Sequence, residues 1–269
     1  MRHQKRLPIP ALSSFIRHYW YFETDMPFSH LSFPYGGFEM ICYLENPNTM
    51  RWLGSADDFE EPAIFYAGQL TKPFVMTFNK PCRCVGVSLY PWAGKLLYNI
   101  PANQFTNALV ALDNLEQENG FYDQLKGCVD DAALFNCLEA YMLKKLYKKQ
   151  NDPLVYAIAQ QIINNPNRES LSIALTKVGL SRRRVEQRFM EATGLSMGLF
   201  TRKARFQKAV HLLQNETCLS LTTLGFNAGY YDQPHFIADF KRFSGLSPKI
   251  FQEHKTELTD FFKTLVLVK

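Results

Sequence analysis

Two stretches, Leu171–Phe189 (LSIALTKVGLSRRRVEQRF) and Leu219–Phe240 (LSLTTLGFNAGYYDQPHFIADF), repeat one pattern. In each, a short apolar-periodic segment reaches a glycine, Gly179 or Gly229, turns, and restarts with a polar outer side. Two helices joined by such a turn present the second helix to the major groove of DNA.

In the first copy, Leu171, Ala174, Leu175 and Val178 make the i, i+3, i+4, i+7 stripe of a buried helix face. Gly179 permits the turn because it alone takes positive φ without a Cβ penalty, and Ser181 then caps the next helix. At 100° per residue, Val185, Phe189 and Ala192 point inward while Arg183, Glu186, Gln187 and Met190 point outward. Arg and Gln match guanine and adenine edges, and Glu accepts from cytosine. Arg184 and Arg188 lie on a flank suited to phosphate, and Arg182 completes a run of three arginines directly behind the cap.

The second copy has Leu221, Leu224 and Gly225 in its first helix, a turn at Gly229 and a cap at Asp232. Phe236, Phe240 and Phe243 form the inward stripe, leaving Pro234, Ile237, Ala238 and Lys241 outward. This face is poor in base-reading groups. Ile237 and Ala238 suit thymine methyls, while Gln233 and His235 reach base or phosphate from the helix start. The first copy is therefore expected to carry most direct readout, and the second mainly to anchor.

Between the copies, Met197–Asn215 reads as one helix with Phe200, Ala204, Ala209, Leu212 and Leu213 on its apolar side. Its length is ~28 Å at ~1.5 Å per residue, enough to hold two recognition helices near one DNA turn, ~34 Å, apart. Arg202, Lys203, Arg205 and Lys208 crowd this helix, for phosphate or for bracing. A further helix starts at Asn151 or Asp152 with Pro153 in its first turn, burying Leu154, Val155, Ile158, Ile162 and Ile163.

With 269 residues the chain favours two domains, and 46% hydrophobic with 20% charged residues describes an ordered protein. The net charge of +5 is not spread evenly. Residues 168–253 hold thirteen Lys and Arg against seven Asp and Glu, which leaves the remainder of the chain slightly acidic. The basic surplus thus surrounds the double motif, as phosphate binding requires. Six scattered cysteines in a chain of this size do not make a disulfide scaffold. No apolar run follows the charged start and none is long enough to span a membrane, so a cytoplasmic protein with reduced thiols is expected.

The first 129 residues alternate with a period near two: Phe74, Met76 and Phe78, then Val85, Val87 and Leu89. Phe38–Leu44 and Phe15–Phe22 read as buried strands, and Pro34–Gly37, Asn46–Asn48 and Asn79–Pro81 as turns. A small barrel or sandwich is expected, with a short helix over Trp92–Leu97. Trp20, Tyr43, Phe74 and Phe78 either fill its core or line a ligand cavity. His3, His18 and His30 lack paired spacing, so no metal and no cofactor is expected; Cys82 and Cys84 read as a packed or solvent-facing pair. Ala132–Leu143 has helical period, with Leu134, Phe135, Leu138, Tyr141 and Met142 packing on the β-rich half or on a second copy of the chain.

GLSRRRVEQRF, LFTRKARFQKAVHLL and above all GYYDQPHFIADFKRFSGLSP resemble the AraC/XylS family of bacterial transcription regulators over about Leu154–His254. GGFEMICYLENP and YAGQLTKPFVMTFNKPCRCVGVSLYP resemble, more weakly, the β-rich sensor domain of one branch of that family. The resemblance implies an α+β chain: a barrel-like, cupin-like N-terminal domain (1–129), a helical connector (130–150), a double helix-turn-helix domain (151–254) and a tail (255–269). It also implies a non-enzymatic, sequence-specific DNA-binding regulator, and supports by position the roles given above to Arg183, Glu186, Gln187, Gln233 and Pro234. Double-stranded DNA is the expected partner; RNA polymerase, a small-molecule effector and a second copy are further candidates. Leu175, Gly225 and Pro234 depart from the usual family pattern. The alternatives are a repair enzyme with a reactive Cys beside such a domain, and a non-specific architectural binder.

Overall fold

A computed structural model describes residues 1–34, 36–117, 120–167, 180–215 and 220–253. The first helix expected in the first copy, with Leu171, Ala174, Leu175, Val178 and Gly179, lies outside the described residues, as do Cys218 and the tail.

The N-terminal half pairs two antiparallel sheets. The larger contains β1 (Arg2–Arg6), β2 (Ile16–Thr24), β4 (Phe38–Glu45), β7 (Ile64–Ala67), β9 (Cys82–Leu89) and β10 (Leu109–Ala111), in the order β1-β2-β9-β4-β7-β10. The smaller contains β3 (Phe28–Ser32), β5 (Thr49–Trp52), β6 (Phe59–Glu60) and β8 (Phe74–Phe78), in the order β3-β8-β5-β6. The expected barrel is not closed: no ladder joins the two sheets among the described residues, so they face each other as open layers. Bulky inward side chains, Trp20, Phe22, Phe65 and Phe78, hold the layers apart.

Both faces of the larger sheet are covered, which is why MICYL, Met40–Leu44, reads as a continuous apolar run. Along β4, Phe38, Met40 and Cys42 join a core with α1 (Phe121–Lys126) and α2 (Asp131–Leu146), while Ile41 and Tyr43 belong to the inter-sheet side. Asp130 caps α2 by accepting from Ala133 N. Leu134, Phe135, Leu138, Tyr141 and Met142 are all buried in that core, so the stripe is spent within the chain. The helix expected over Trp92–Leu97 is a single 3-10 turn, Pro91–Ala93.

The helical half contains α3 (Pro153–Asn164), α4 (Arg182–Thr193), α5 (Met197–Asn215), α6 (Leu221–Asn227), α7 (Gln233–Ser244) and α8 (Pro248–Glu253). Asp152, Ser181, Ser220 and Asp232 cap α3, α4, α6 and α7, each accepting backbone N–H bonds of the first turn. α5 serves two cores. Phe200 and Ala204 pack with Ile158, Ile162, Val185 and Phe189; Phe206, Ala209 and Leu213 pack with Leu224, Phe236, Phe240 and Phe251. Each core also takes aromatic rings from the β-rich half, Trp92 and the half-buried Tyr90 in the first and Phe33 in the second.

Gly225 explains its own departure from the family pattern. A Cβ there would lie 3.1 Å from the Phe236 ring, so glycine lets α6 and α7 approach closely. No helix among the described residues is long and apolar enough to cross a membrane.

Candidate nucleic-acid interface

The recognition helices α4 and α7 are twelve residues each and are built alike. Each starts from an oxygen cap, buries an apolar stripe (Val185, Phe189 and Ala192, or Phe236, Phe240 and Phe243) and ends on a left-handed glycine, Gly194 (φ 83°) or Gly245 (φ 76°). The residue before that glycine closes the helix the same way twice. Thr193 Oγ1 donates to Phe189 O at 2.8 Å, and Ser244 Oγ donates to Phe240 O at 2.6 Å.

On α4 the inward set is as expected: Val185, Phe189 and Ala192 are buried. Arg182, Arg183, Arg184 and Gln187 are exposed. Arg182 and Arg183 make no hydrogen bond or ion pair among the described residues, which leaves their guanidinium forks available to guanine edges or phosphate. Two predicted readers, Glu186 and Gln187, and the predicted phosphate contact Arg188 have partners within the protein. Glu186 accepts from Met197 N at 2.9 Å, closing the first turn of α5. Gln187 donates through Nε2 to Glu191 Oε1 at 3.0 Å. Arg188 donates to Asp152 Oδ2 from Nε and Nη2 at 3.0 and 2.6 Å, bracing α4 to the cap of α3.

On α7, Gln233, Pro234, His235, Ala238 and Lys241 are exposed and Ile237 is half-buried. Gln233, Pro234, Ile237, Ala238 and Lys241 line one shallow concavity on the outer side. Gln233 Oε1 accepts from Thr222 Oγ1 at 3.2 Å, and His235 Nδ1 lies 2.8 Å from Asp232 Oδ2. Asp239 is buried and accepts from Arg202 Nε at 2.8 Å. The carboxylates on and beside α7 are thus occupied, so Lys241 and Arg242 set the sign of its outer surface.

Two family models match the chain: a helix-turn-helix domain over residues 175–254, and a domain of unknown function (DUF6597) over residues 4–111. Residues 175–254 are thus a helix-turn-helix domain. An uncharacterized HTH-type transcriptional regulator of Haemophilus influenzae is 30% identical over 118 residues, which are 44% of this chain and 38% of that relative. The match therefore spans well under half of the relative's length. Among solved structures, ToxT from Vibrio cholerae aligns over 94% of this chain and 98% of its own, with 10% identity and a TM-score of 0.48. The AraC-like transcriptional activator CuxR aligns over 77% of this chain and 86% of its own, with 13% identity and a TM-score of 0.31.

The helix-turn-helix domain is not a free module in this chain. Lys203 of α5 is buried, and its Nζ donates to Gln69 Oε1 at 2.9 Å and to Leu70 O at 2.8 Å. Burial pushes that ammonium well below the ordinary lysine value. Gln69 Nε2 in turn donates to Thr193 O at 2.6 Å, and Thr106 Oγ1 to Gly194 O at 2.6 Å. Sequence reasoning grouped Lys203 with the phosphate or bracing cations. Its isolation from water was not readable, because the partner loop at Gln69 is over a hundred residues away. Arg205 also turns inward, donating to Pro166 O at 2.6 Å.

A cavity of about 1030 Å³ lies between the two sheets and reaches the helical half, where Ile163 of α3 and Phe206, Gln207 and Val210 of α5 line it. Phe22, Phe28, Phe65, Phe74 and Phe78 make its aromatic part, and Arg17, His18, Glu39 and Ser88 its polar part. Trp20 Nε1 donates to Glu39 Oε2 at 2.9 Å, yet burial pushes the Glu39 carboxyl up to about 7. Glu61, bonded by the Tyr43 hydroxyl, is likewise pushed up to about 7 by burial. Burial lowers His3 to about 4 and His18 to about 3, so both imidazoles are neutral at pH 7.

β1, which brings His3 to this wall opposite Phe22 and pairs Lys5 with Trp20, was not foreseen, since MRHQKR carries no apolar alternation. No group of three His, Cys, Asp or Glu is placed to hold a metal among the described residues. Cys82 and Cys84 are a packed pair, both buried. A bond from Cys82, then burial, pushes the Cys84 thiol well up, and burial raises Cys42 and takes Cys137 to about 11. Such thiols stay protonated at pH 7, the opposite of an activated nucleophile.

Proposed function

We propose that the chain is a sequence-specific DNA-binding transcription regulator. Both helix-turn-helix units enter successive major grooves on one face of the duplex, and a small-molecule effector occupies the inter-sheet cavity. The observation that carries this reading is the pair of like-built recognition helices on one spine, α5, with Arg182 and Arg183, unpaired among the described residues, at the head of the first. In this reading Arg182 and Arg183 reach base edges, joined by Gln187 once it leaves Glu191. Arg184, Gln233, His235 and Lys241 meet the backbone. Glu186 and Arg188 hold the unit in shape, and Pro234, Ile237 and Ala238 form the groove-facing surface of α7.

The proposed division of labour is a sensor over 1–129, a connector over 130–150 and the DNA-binding domain over 151–254. RNA polymerase is the proposed protein partner. A second copy of the chain would meet it through a surface other than the α2 stripe, which is buried internally. The effector acts through α5, which lines the cavity and carries residues of both units.

The test is selection by the full-length protein from a random duplex pool, repeated at several salt concentrations. A preference above about tenfold, together with a steep salt slope, is expected. Uniform affinity for all sequences would identify a non-specific architectural binder instead. Arg183→Ala should relax the preference at one base, costing ~1–3 kcal/mol there. An unchanged base profile would remove Arg183 from the readout.

A further inference from the structure

We propose that the second unit reads thymine: Pro234, Ile237 and Ala238 of α7 pack against C5-methyl groups in the major groove, with cations at one end of the strip. This rests on the DNA-binding reading above and gives the operator an asymmetric composition. Thymine lies under α7, and guanine or another strong acceptor lies under Arg182 and Arg183.

The middle of the outer face of α7 has almost nothing with which to read a hydrogen-bonding edge. Pro234 lacks even a backbone N–H, and neither Ile237 nor Ala238 carries a polar side-chain atom. The nearest polar groups at the helix start are engaged, Gln233 with Thr222 and His235 with Asp232. The face is nevertheless concave, with Pro234, the neighbouring pair Ile237 and Ala238, and Lys241 at i, i+3/i+4 and i+7 on successive turns along it. Its charge suits a polyanion. Asp232 caps the helix and Asp239 is spent on Arg202, so the cations Lys241 and Arg242 face solvent without a carboxylate bonded to them among the described residues. Of the four standard bases, thymine alone presents an apolar group in the major groove, its C5-methyl. An apolar strip with cations at one end, Lys241 and Arg242, therefore selects thymine through burial of that methyl, where α4 selects through guanidinium forks.

The two units thus differ in the kind of readout rather than in its presence. The partners of Glu186 and Gln187 reduce what α4 reads, and the concavity on α7 adds a specificity that hydrogen-bond counting overlooks.

The experiment uses the full-length protein and its selected duplex. Each thymine is replaced in turn by deoxyuridine, which keeps the base pair and removes only the methyl. Arg183→Ala first marks the half-site under α4. In the other half-site, each contacted methyl is expected to be worth about fourfold in affinity, from ~0.8 kcal/mol per buried carbon. Deoxyuridine in the α4 half-site should change little. Ile237→Ala should bind the thymine and deoxyuridine duplexes alike at one position. Ile237 is half-buried, so Pro234→Ala, at an exposed site, provides the same comparison without touching the core. A protein that still selects sequence but is indifferent to deoxyuridine at every position overturns the proposal, assigns this face to a protein partner, and leaves the DNA-binding reading standing. Absence of any sequence preference removes both.

Discussion

Phe33 is the sharpest test of how the halves are joined. It belongs to the β-rich half, just past β3, yet it is 3% exposed inside the core of the second unit. Its ring lies 6.3 Å from Phe206 in an edge-to-face arrangement and 5.6 Å from Phe251. Removing a buried phenylalanine costs ~3–5 kcal/mol, transfer and cavity terms together. Phe33 enters from a neighbouring layer that can settle inward, so Phe33→Ala should fall near the lower end, about 3 kcal/mol. That is a large part of a stability on the order of 5–15 kcal/mol. The loss should fall on the second unit, because the first keeps Trp92 and the bonds of Lys203, Gln69 and Thr106.

The chain supplies its own probes. Trp20, Trp52 and Trp92 all lie in the β-rich half, whereas helical circular dichroism reports mainly α3 to α8. In urea the wild type should show coincident transitions by both signals, as one cooperative unit does. Phe33→Ala should move the helical transition to lower urea and separate it from the tryptophan transition. Coincident curves with a loss below about 1 kcal/mol would show that Phe33 is a passenger in that core.

Gly225→Ala gains up to ~1 kcal/mol of helix propensity but forces a Cβ to 3.1 Å from Phe236, and overpacking of this kind costs ~1–3 kcal/mol. A net loss near 1 kcal/mol is expected by thermal denaturation, and a stabilised variant would mean that the helices can spread freely. Glu186→Ala removes the acceptor for Met197 N and should cost ~1 kcal/mol of stability, as a lost cap does, while leaving the selected base profile unchanged. A changed profile would return Glu186 to the readout. Glu39→Gln tests the polar end of the cavity. With its carboxyl raised to about 7, Glu39 stays protonated in the fold where the unfolded chain has already released that proton. Its effect is to make stability fall as pH rises from about 4.5 to above 7, by at most ~1.4 kcal/mol per pH unit. The glutamine variant should therefore overtake the wild type above pH 7 and lose its advantage near pH 4, and parallel pH curves would contradict the raised value.

Local periodicity carried the reading where structure is local. The bounds of α5, the caps Ser181, Asp152 and Asp232, and the inward stripes of α4 and α7 follow from residues within a turn or two of each other. What periodicity could not carry is contact across the chain. Glu186 looked like a base reader and Arg188 like a phosphate contact because their partners, Met197 of α5 and the α3 cap Asp152, are far from them in the turn-by-turn pattern. β1 was invisible because its backbone pairing with β2 supplies the order that its side chains do not announce. Sheet closure is equally a long-range property: alternation identifies strands but not whether the last one returns to the first.

The same long-range contacts constrain how regulation can work. The β-rich half touches the C-terminal ends of both recognition helices. Gln69 and Thr106 bond Thr193 and Gly194, and a Cβ on Gly245 would fall 2.1 Å from Leu53 Cδ2. The opposite ends, with Arg182 on α4 and Gln233 on α7, remain exposed. α5 lies between these supports, contributes to both helical cores, and lines the cavity through Phe206, Gln207 and Val210. A ligand that shifts α5 against the sheets therefore cannot move one recognition helix alone; it changes the distance or angle between them. Regulation through this cavity should accordingly appear as a changed preference for the spacing between half-sites, with the base preference inside each half-site preserved. Binding to a series of duplexes with inserted base pairs separates the two outcomes, and a ligand-dependent change of base preference at constant spacing would contradict this coupling.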